Sequence, residues 1–264
     1  MGTLLLVHAH PDDEAIATGG VMARAHGAGN RVVLVTGTRG ELGEIHNMEE
    51  AATRPRLGEV RTQELAEAGR LLGVDRQVFL GFRDSDMAGR SGNDDPRSFH
   101  AAPLEVAAER LAAVLREERP DVVVTYTKEG TYGHPDHIKA HLTTVAALDL
   151  LRDEGWEPER VYESAIPQSV VDQIRARMAE EGAEDMPGAD LFGTPDSEIT
   201  VTVDVRDLAT LKRDALGAHV SQIDPRGPWA TMQQQVLEAA LGWEHYVRTR
   251  GTGGPEGTAG SLLP

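Results

Sequence analysis

Residues 4–14 read LLLVHAHPDDE, a short apolar run that breaks at once into a turn carrying two histidines and three acids. An apolar run of this length, with no polar alternation, reads as a strand buried on both faces, as in a parallel sheet. Working outward, a helical pattern follows from about Ala15 to Ala28, and Arg31–Thr36 (RVVLVT) is a second β-branched run. Residues 37–56 are polar and irregular. A helix is expected from Leu57 to Leu72, where Leu57, Val60, Leu65, Ala68 and Leu72 recur near helical spacing, and a third strand over Gln77–Phe82. After a Gly/Asp/Ser/Pro-rich loop from Arg83 to Pro103, Leu104–Glu118 reads as an amphipathic helix that stops before Pro120, and Asp121–Thr127 (DVVVTYT) as a fourth strand. Pro135 suits the first position of a helix running to about Leu151. Strands alternating with helices predict an α/β fold, a Rossmann-like, mainly parallel sheet flanked by helices.

The last third changes character. Val161–Ile166 and Ile199–Val205 are expected as strands, and Val170–Glu181, Val205–His219 and Trp229–Tyr246 as helices, with a Gly/Pro/Asp-rich linking or covering stretch over 182–198. The predicted organisation is a Rossmann-like catalytic core over 1–160, a smaller C-terminal α/β portion over 161–250 that completes the fold and covers the substrate site, and a Gly-rich flexible tail over 251–264.

Composition narrows the chemistry. The 264 residues carry 43 acids against 26 Lys and Arg, a formal charge of −17. Such a surface repels phosphates, so neither nucleic acid nor an anionic membrane is expected as a partner. With no cysteine, thiolate metal sites and disulfides are excluded, and any metal must be held by His, Asp or Glu. The apolar start is short, has no basic flank and meets HPDDE immediately, unlike a signal peptide. No apolar run approaches the ~18–20 residues that span a bilayer, and a cytoplasmic location is expected.

Two segments fall where open parallel sheets bind ligands, beyond the carboxyl ends of strands. One is His8–Glu14, after the first strand; the other is Tyr132–His137 (YGHPDH), after the fourth. First and fourth strands commonly lie side by side at the switch point, so the two segments can face one crevice holding His10, Asp12, Asp13, His134 and His137. Imidazoles and a carboxylate suit zinc with one open position, and two His with one carboxylate also accept Fe(II). His10, Asp13 and His137 are the proposed ligands, with Asp12 beside them as a base. Taken singly, either segment has a blander reading, because Asp-Asp before a helix is ordinarily an N-cap. A dinucleotide-binding site needs a Gly-rich turn after the first strand; here that place is acidic, and Gly19–Gly20 come too late. A non-catalytic sugar-binding module is the remaining alternative, distinguished by binding sugar without releasing amine.

The pair of motifs HAHPDDE and GHPDH resembles the LmbE-like, or PIG-L, deacetylase family. Supporting stretches are Thr38–Ile45 (TRGELGEI), Arg61–Glu64 (RTQE), Arg83–Gly89 (RDSDMAG), Asp121–Tyr126, Ala218–Ile223 (AHVSQI) and Glu244–Tyr246 (EHY), so the resemblance covers most of the chain. It implies a Zn²⁺ enzyme, with Fe²⁺ as the alternative metal, that removes the N-acetyl group from a GlcNAc-type amino sugar. His10, Asp13 and His137 match the family's metal ligands, and Asp12 its general base. His134 matches a residue that stabilises the transition state and can protonate the leaving amine, and Tyr132 one that polarises the carbonyl. Glu44, Arg61 and Asp84 match polar residues around the sugar. Asp136 is expected to orient a histidine, His8 to pack beneath the site, and His141 to be structural. Within the family the RDSDMAG stretch favours N-acetylglucosaminyl-inositol, a mycothiol precursor, over mycothiol S-conjugates or other amino sugars.

Overall fold

The computed structural model describes residues 1–180, 192–227 and 231–263. Eight strands form one sheet in the order β3-β2-β1-β4-β5-β7-β6-β8. They are β1 Thr3–His8, β2 Arg31–Thr36, β3 Arg76–Phe79, β4 Val122–Tyr126, β5 Arg160–Ala165, β6 Val201–Asp204, β7 Trp243–Arg250 and β8 Gly257–Ala259. β1 to β5 are mutually parallel; β7 runs antiparallel to both β5 and β6, and β8 is parallel to β6. β1 therefore lies between β2 and β4, and the chain order reverses there. That places the HPDDE turn and the segment after β4 on the same edge of the sheet, at the crevice where doubly wound folds bind ligands.

The strands are buried on both faces, and successive residues divide between two cores. Leu4, Leu6, Val32, Leu34, Val122 and Val124 pack on one side with Met22 of the helix Gly19–Gly27, Leu65 and Leu72 of the helix Leu57–Leu72, and Leu216 of the helix Ala209–Gly217. Leu5, Val7, Val33, Val35 and Val123 pack on the other with Leu111 of the helix Leu104–Glu118 and Leu148 of the helix Pro135–Asp153. The two-residue period of the strands produces this division. Among the described residues no helix is long and apolar enough to cross a membrane.

Three expectations change. The helix expected over Trp229–Tyr246 is confined, among described residues, largely to Gln234–Leu241, while Trp243–Tyr246 begins β7; Trp229 itself lies outside the described residues, as do 182–191 of the expected cover. Gly242 ends that helix, and beyond it Glu244 and Tyr246 are buried while Trp243 and His245 are half-buried, an alternation of period two that fits a strand. The stretch 251–264, expected as a flexible tail, instead supplies β8, and Leu262 and Leu263 are buried in the first core. Apolar burial and three paired residues anchor it despite its glycines. The third strand also ends earlier than expected, at Phe79, ahead of Gly81 at φ 78°.

A buried ion pair ties β7 to the helix Ala209–Gly217. Lys212 Nζ lies 2.6 Å from Glu244 Oε1, with both side chains 1% exposed. Glu244 also accepts hydrogen bonds from the backbone N–H groups of Gly20 and Val21, so its charge sits at the amino end of the helix Gly19–Gly27, where free N–H groups and the helix dipole favour it. Gly20 is required at this junction, because a Cβ there would fall 2.5–2.7 Å from three carbons of Val205. Gly20→Ala is expected to lower stability by about 1–3 kcal/mol through overpacking. Gly27→Ala, in the same helix with nothing within 4 Å of the new Cβ, is expected to raise it by about 0.4–1 kcal/mol. Urea denaturation of the two variants checks the contrast.

Candidate metal and catalytic centre

The turn after β1 is bent sharply by Asp12, whose φ of 104° is rare outside glycine. Asp12 stands at the start of the short helix Asp13–Ala17, yet its side chain makes no capping hydrogen bond, so the ordinary use of an acid at this position does not apply. Its backbone N–H donates to Glu14 Oε2 at 2.8 Å, and the other Glu14 oxygen is 2.7 Å from His219 Nε2, with both side chains at most 1% exposed. The Asp12 carboxylate accepts from Arg61 Nη2 at 3.1 Å. Arg61 donates further to the carbonyls of Gly40 and Pro11. Burial raises the Asp12 carboxyl to about 6, with Arg61 opposing the shift, which leaves a base poised near neutral pH.

After β4 the chain turns through Gly130–Gly133, with Gly130 and Thr131 both at positive φ. A side chain at Gly130 would meet Ile138 N at 2.8 Å and His137 Cβ at 2.9 Å, so glycine permits this loop to close onto the next helix. His134 caps that helix, its Nδ1 accepting from the Asp136 N–H at 3.1 Å. Pro135, Asp136 and His137 then lie in the first turn, buried.

The two segments meet. His10 and His137 ring centroids are 5.3 Å apart, and those of His10 and His134 4.5 Å. Asp13 stands between the ligand candidates: Oδ2 is 3.5 Å from His10 Nδ1, and Oδ1 is 3.4 Å from His137 Nε2. Tyr132 packs edge-on to His137 and His134, at 5.0 and 6.0 Å. Burial and the nearby carboxylates push its phenol upward, so the hydroxyl keeps its proton and can donate. Asp84 Oδ1 lies 3.8 Å from His10 Nε2. Glu44 stands on an exposed loop, its side chain 86% exposed and 3.4 Å from His46.

Hydrogen bonding decides which lone pairs are free. Asp136 Oδ2 accepts from His10 Nε2 at 3.2 Å and from the Ser85 N–H, and Oδ1 accepts from the His100 N–H. His10 Nε2 therefore donates to Asp136, and Nδ1 is the ring atom turned toward Asp13. His137 is fully buried and neither ring nitrogen makes a hydrogen bond. Two imidazole nitrogens and a carboxylate thus face one another, and positive charge, whether protons or a metal ion, is needed between them. Although burial alone would lower His10, the Asp13, Asp136 and Asp84 carboxylates outweigh it and hold the imidazole well above its ordinary range; the cluster favours positive charge. His10, Asp13 and His137 fit a divalent metal on these grounds.

His134 also comes within reach, since one nitrogen from each of His10, His134 and His137 can be chosen with all three within 4.8 Å of one another. Its Nδ1, however, is occupied by the Asp136 N–H, which leaves the proton on Nε2 and makes that atom a donor rather than a ligand. Burial, then the two neighbouring imidazoles, lower His134 to about 2, so it is neutral near pH 7. The alternative group His10, Asp84 and Asp136 is disfavoured because the Asp136 oxygens and both Asp84 oxygens accept from backbone N–H groups.

Two contributors escaped the sequence reading. Tyr126 donates its hydroxyl to Asp13 Oδ2 at 2.7 Å, accepts from the Ala9 N–H, and stacks its ring on His137 at 4.3 Å; its place at the end of the fourth strand was the available signal. The Glu14–His219 pair had none, because its members lie 205 positions apart. His8 lies below, its ring nitrogens near Tyr126 Oη and Thr18 Oγ1. His141 faces the Tyr126 carbonyl and Glu163.

The family model for GlcNAc-PI de-N-acetylases, PIG-L, matches residues 5–148. A protein of Salinispora arenicola named 1D-myo-inositol 2-acetamido-2-deoxy-alpha-D-glucopyranoside deacetylase is 42% identical, over 96% of this chain and 86% of its own. Among solved structures, N,N'-diacetylchitobiose deacetylase from Pyrococcus horikoshii superposes with a TM-score of 0.65 at 21% identity, over 94% of this chain and 84% of that one. A 4-carboxy-2-hydroxymuconate hydratase from Pseudomonas putida superposes with a TM-score of 0.57 at 21% identity, over 97% and 99%. These two likenesses show the fold.

The role of Tyr126 is open to a direct check. Tyr126→Phe keeps the ring on His137 and removes the donor to Asp13. It is expected to weaken Zn²⁺ binding by about 10–100-fold, measured by competition with a chromogenic chelator, while the circular dichroism spectrum stays unchanged.

Proposed function

Because this chain belongs to the PIG-L family, we propose that it is a zinc-dependent hydrolase that removes the N-acetyl group from 1D-myo-inositol 2-acetamido-2-deoxy-alpha-D-glucopyranoside in the cytoplasm. Support for the chemistry comes from the site, and support for the substrate from the curated relative named above. The observation that carries the reading is the convergence of His10 Nδ1, His137 Nε2 and the Asp13 carboxylate next to an uncapped, left-handed Asp12.

His10, Asp13 and His137 would hold a divalent ion, which when bound would supply Lewis-acid polarisation and acidify water toward neutral pH. The remaining work falls to this chain's own groups. Asp12 takes the proton of the water that attacks the acetyl carbon. His134, neutral and protonated on Nε2, donates to the developing oxyanion together with the Tyr132 hydroxyl, the preorganised-donor role of an oxyanion hole. As the C–N bond breaks, the nitrogen takes up a proton, and acetate and a free amine leave. Since His134 remains neutral near pH 7, Asp12 is the better source of that proton, acting in both directions. Arg61, 3% exposed, serves in this reading to hold Asp12 rather than to meet the sugar. Asp84, at the margin of the cluster, and Glu44, on the outer loop, are proposed to bind sugar and inositol hydroxyls.

Amine release is the test. Purified zinc-loaded protein is expected to turn over the inositol glycoside in preference to plain GlcNAc and to a mycothiol S-conjugate, with Fe²⁺ as the comparison metal. Preference for the S-conjugate would move the substrate and keep the chemistry, whereas sugar binding without amine release would make the chain a binding module. His10→Ala and His137→Ala are expected to lose metal and activity together. Asp12→Ala should retain metal and lose about 10²–10⁴-fold in kcat, and His134→Ala about 10²–10³-fold; turnover by Asp12→Ala at the wild-type rate would rule out the base assigned here.

A further inference from the structure

Away from the metal centre, a cavity of about 850 Å³ opens between the loops after β2 and β3 and the helix Leu104–Glu118. Five arginines line it, Arg39, Arg54, Arg83, Arg97 and Arg110, against a single acid, Glu41. In a chain whose formal charge is −17, this inverts the surrounding charge. Glu41 Oε2 accepts the Asp84 N–H at 3.1 Å, and it is one acid against five arginines. Arg54 is satisfied by Glu50 and the Gly43 carbonyl, and Arg97 by Asp95, to which Arg83 is also weakly paired at 3.7 Å.

Arg39 and Arg110 differ. Neither has a carboxylate within ion-pair distance among the described residues. Arg110 is held over the Phe82 ring at 4.2 Å and donates to the Leu80 carbonyl, and Arg39 lies over Phe79 at 4.9 Å. A guanidinium stacked on a ring is oriented in advance, and its rigid fork of donors matches the oxygens of a phosphate or carboxylate. The same cavity has an apolar wall from Pro55, Leu57, Pro103 and Val106, the last 42% exposed.

We infer that this cavity is a binding site for a small organic oxyanion, an apolar or ring body bearing a phosphate or carboxylate group clamped by Arg39 and Arg110. None of its lining residues belongs to the proposed metal set. It is nevertheless one hydrogen bond from that centre: Glu41 and Leu42, in its wall, bond to Asp84, which faces His10 at 3.8 Å.

Calorimetric titration with phenyl phosphate, phenylacetate and inorganic phosphate tests this. Zinc-loaded wild-type protein is expected to bind at least one of the two ring-bearing anions saturably, and more tightly than inorganic phosphate; the arm that binds distinguishes phosphate from carboxylate. Arg39→Ala and Arg110→Ala are each expected to weaken binding by about 10–100-fold, the loss of a charge-assisted contact, with unchanged circular dichroism. Arg110→Gln keeps most of the side chain and is expected to weaken binding likewise. His137→Ala is expected to bind as wild type does, since the site is separate from the metal. Absence of saturable binding, equal binding by the arginine variants, or loss of binding in His137→Ala would overturn the inference. So would a wild-type dimer that Arg110→Ala dissolves, because a second copy would then be the occupant.

Discussion

The Asp13 carboxylate is the contact on which the working edge of the sheet depends. Its oxygens meet Tyr126 of β4, the His10 N–H of the loop after β1, and the imidazole of His137 on the following helix. Two pieces of chain that are remote in sequence, the turn after β1 and the segment from the end of β4 to the next helix, are registered against one another by a single small side chain. Removing a carboxylate from water costs several kcal/mol unless partners replace the lost solvation. Here burial opposes ionisation, but His137 and His10 outweigh it and hold Asp13 well below the usual carboxylate range. The charge is thus kept where a metal needs it, and the parallel pairing of β1 with β4 brings these partners close enough to act.

A second constraint works on the neighbouring residue. A non-glycine backbone at φ 104° costs of order 1–3 kcal/mol and persists only where its surroundings over-determine it. For Asp12 the surroundings are Glu14 on the backbone N–H, Arg61 on the carboxylate and on the Pro11 carbonyl, and His219 behind Glu14. This geometry turns the Asp12 side chain away from the helix end it would otherwise cap. The last third of the chain is therefore needed at the first loop: His219 braces Glu14, Ser221 donates to Glu64, and Lys212 with Glu244 fixes the start of the helix Gly19–Gly27.

These constraints explain what was legible beforehand. β1, β2, β4 and the helices between them declare themselves because each is specified by local pattern, continuous apolar runs for the strands and apolar residues near period 3.6 for the helices. His10, Asp12, Asp13, His134 and His137 were legible because chemistry-bearing residues are concentrated within two short segments at strand ends. The Glu14–His219 and Lys212–Glu244 pairs were not, since a buried ion pair between distant positions leaves no local trace. β7 was misread because Gln234–Leu241 is helical and only Gly242 separates that helix from the strand, with no proline or polar loop between them. β8 was missed because glycines lower strand propensity, while the burial of Leu262 and Leu263 that holds the segment is a tertiary effect.

Fold and metal motif together still leave the substrate undetermined, and the reason is physical. The sheet edge fixes the ligand atoms, and that geometry serves any amide whose carbonyl reaches it. The same fold, at a TM-score of 0.57, is found in a hydratase, so architecture alone does not choose the reaction. Discrimination between sugars must come from groups outside the fixed cluster. On the reading proposed above, those are Asp84 on the loop after β3 and Glu44 on the outer loop after β2. Asp84 is the one whose position is tied both to His10 and, through Glu41 and Leu42, to the arginine-lined cavity. On the reading proposed above, selectivity rests on the loop after β3 that carries Asp84, whereas bond breaking rests on the turns and helix starts that follow β1 and β4.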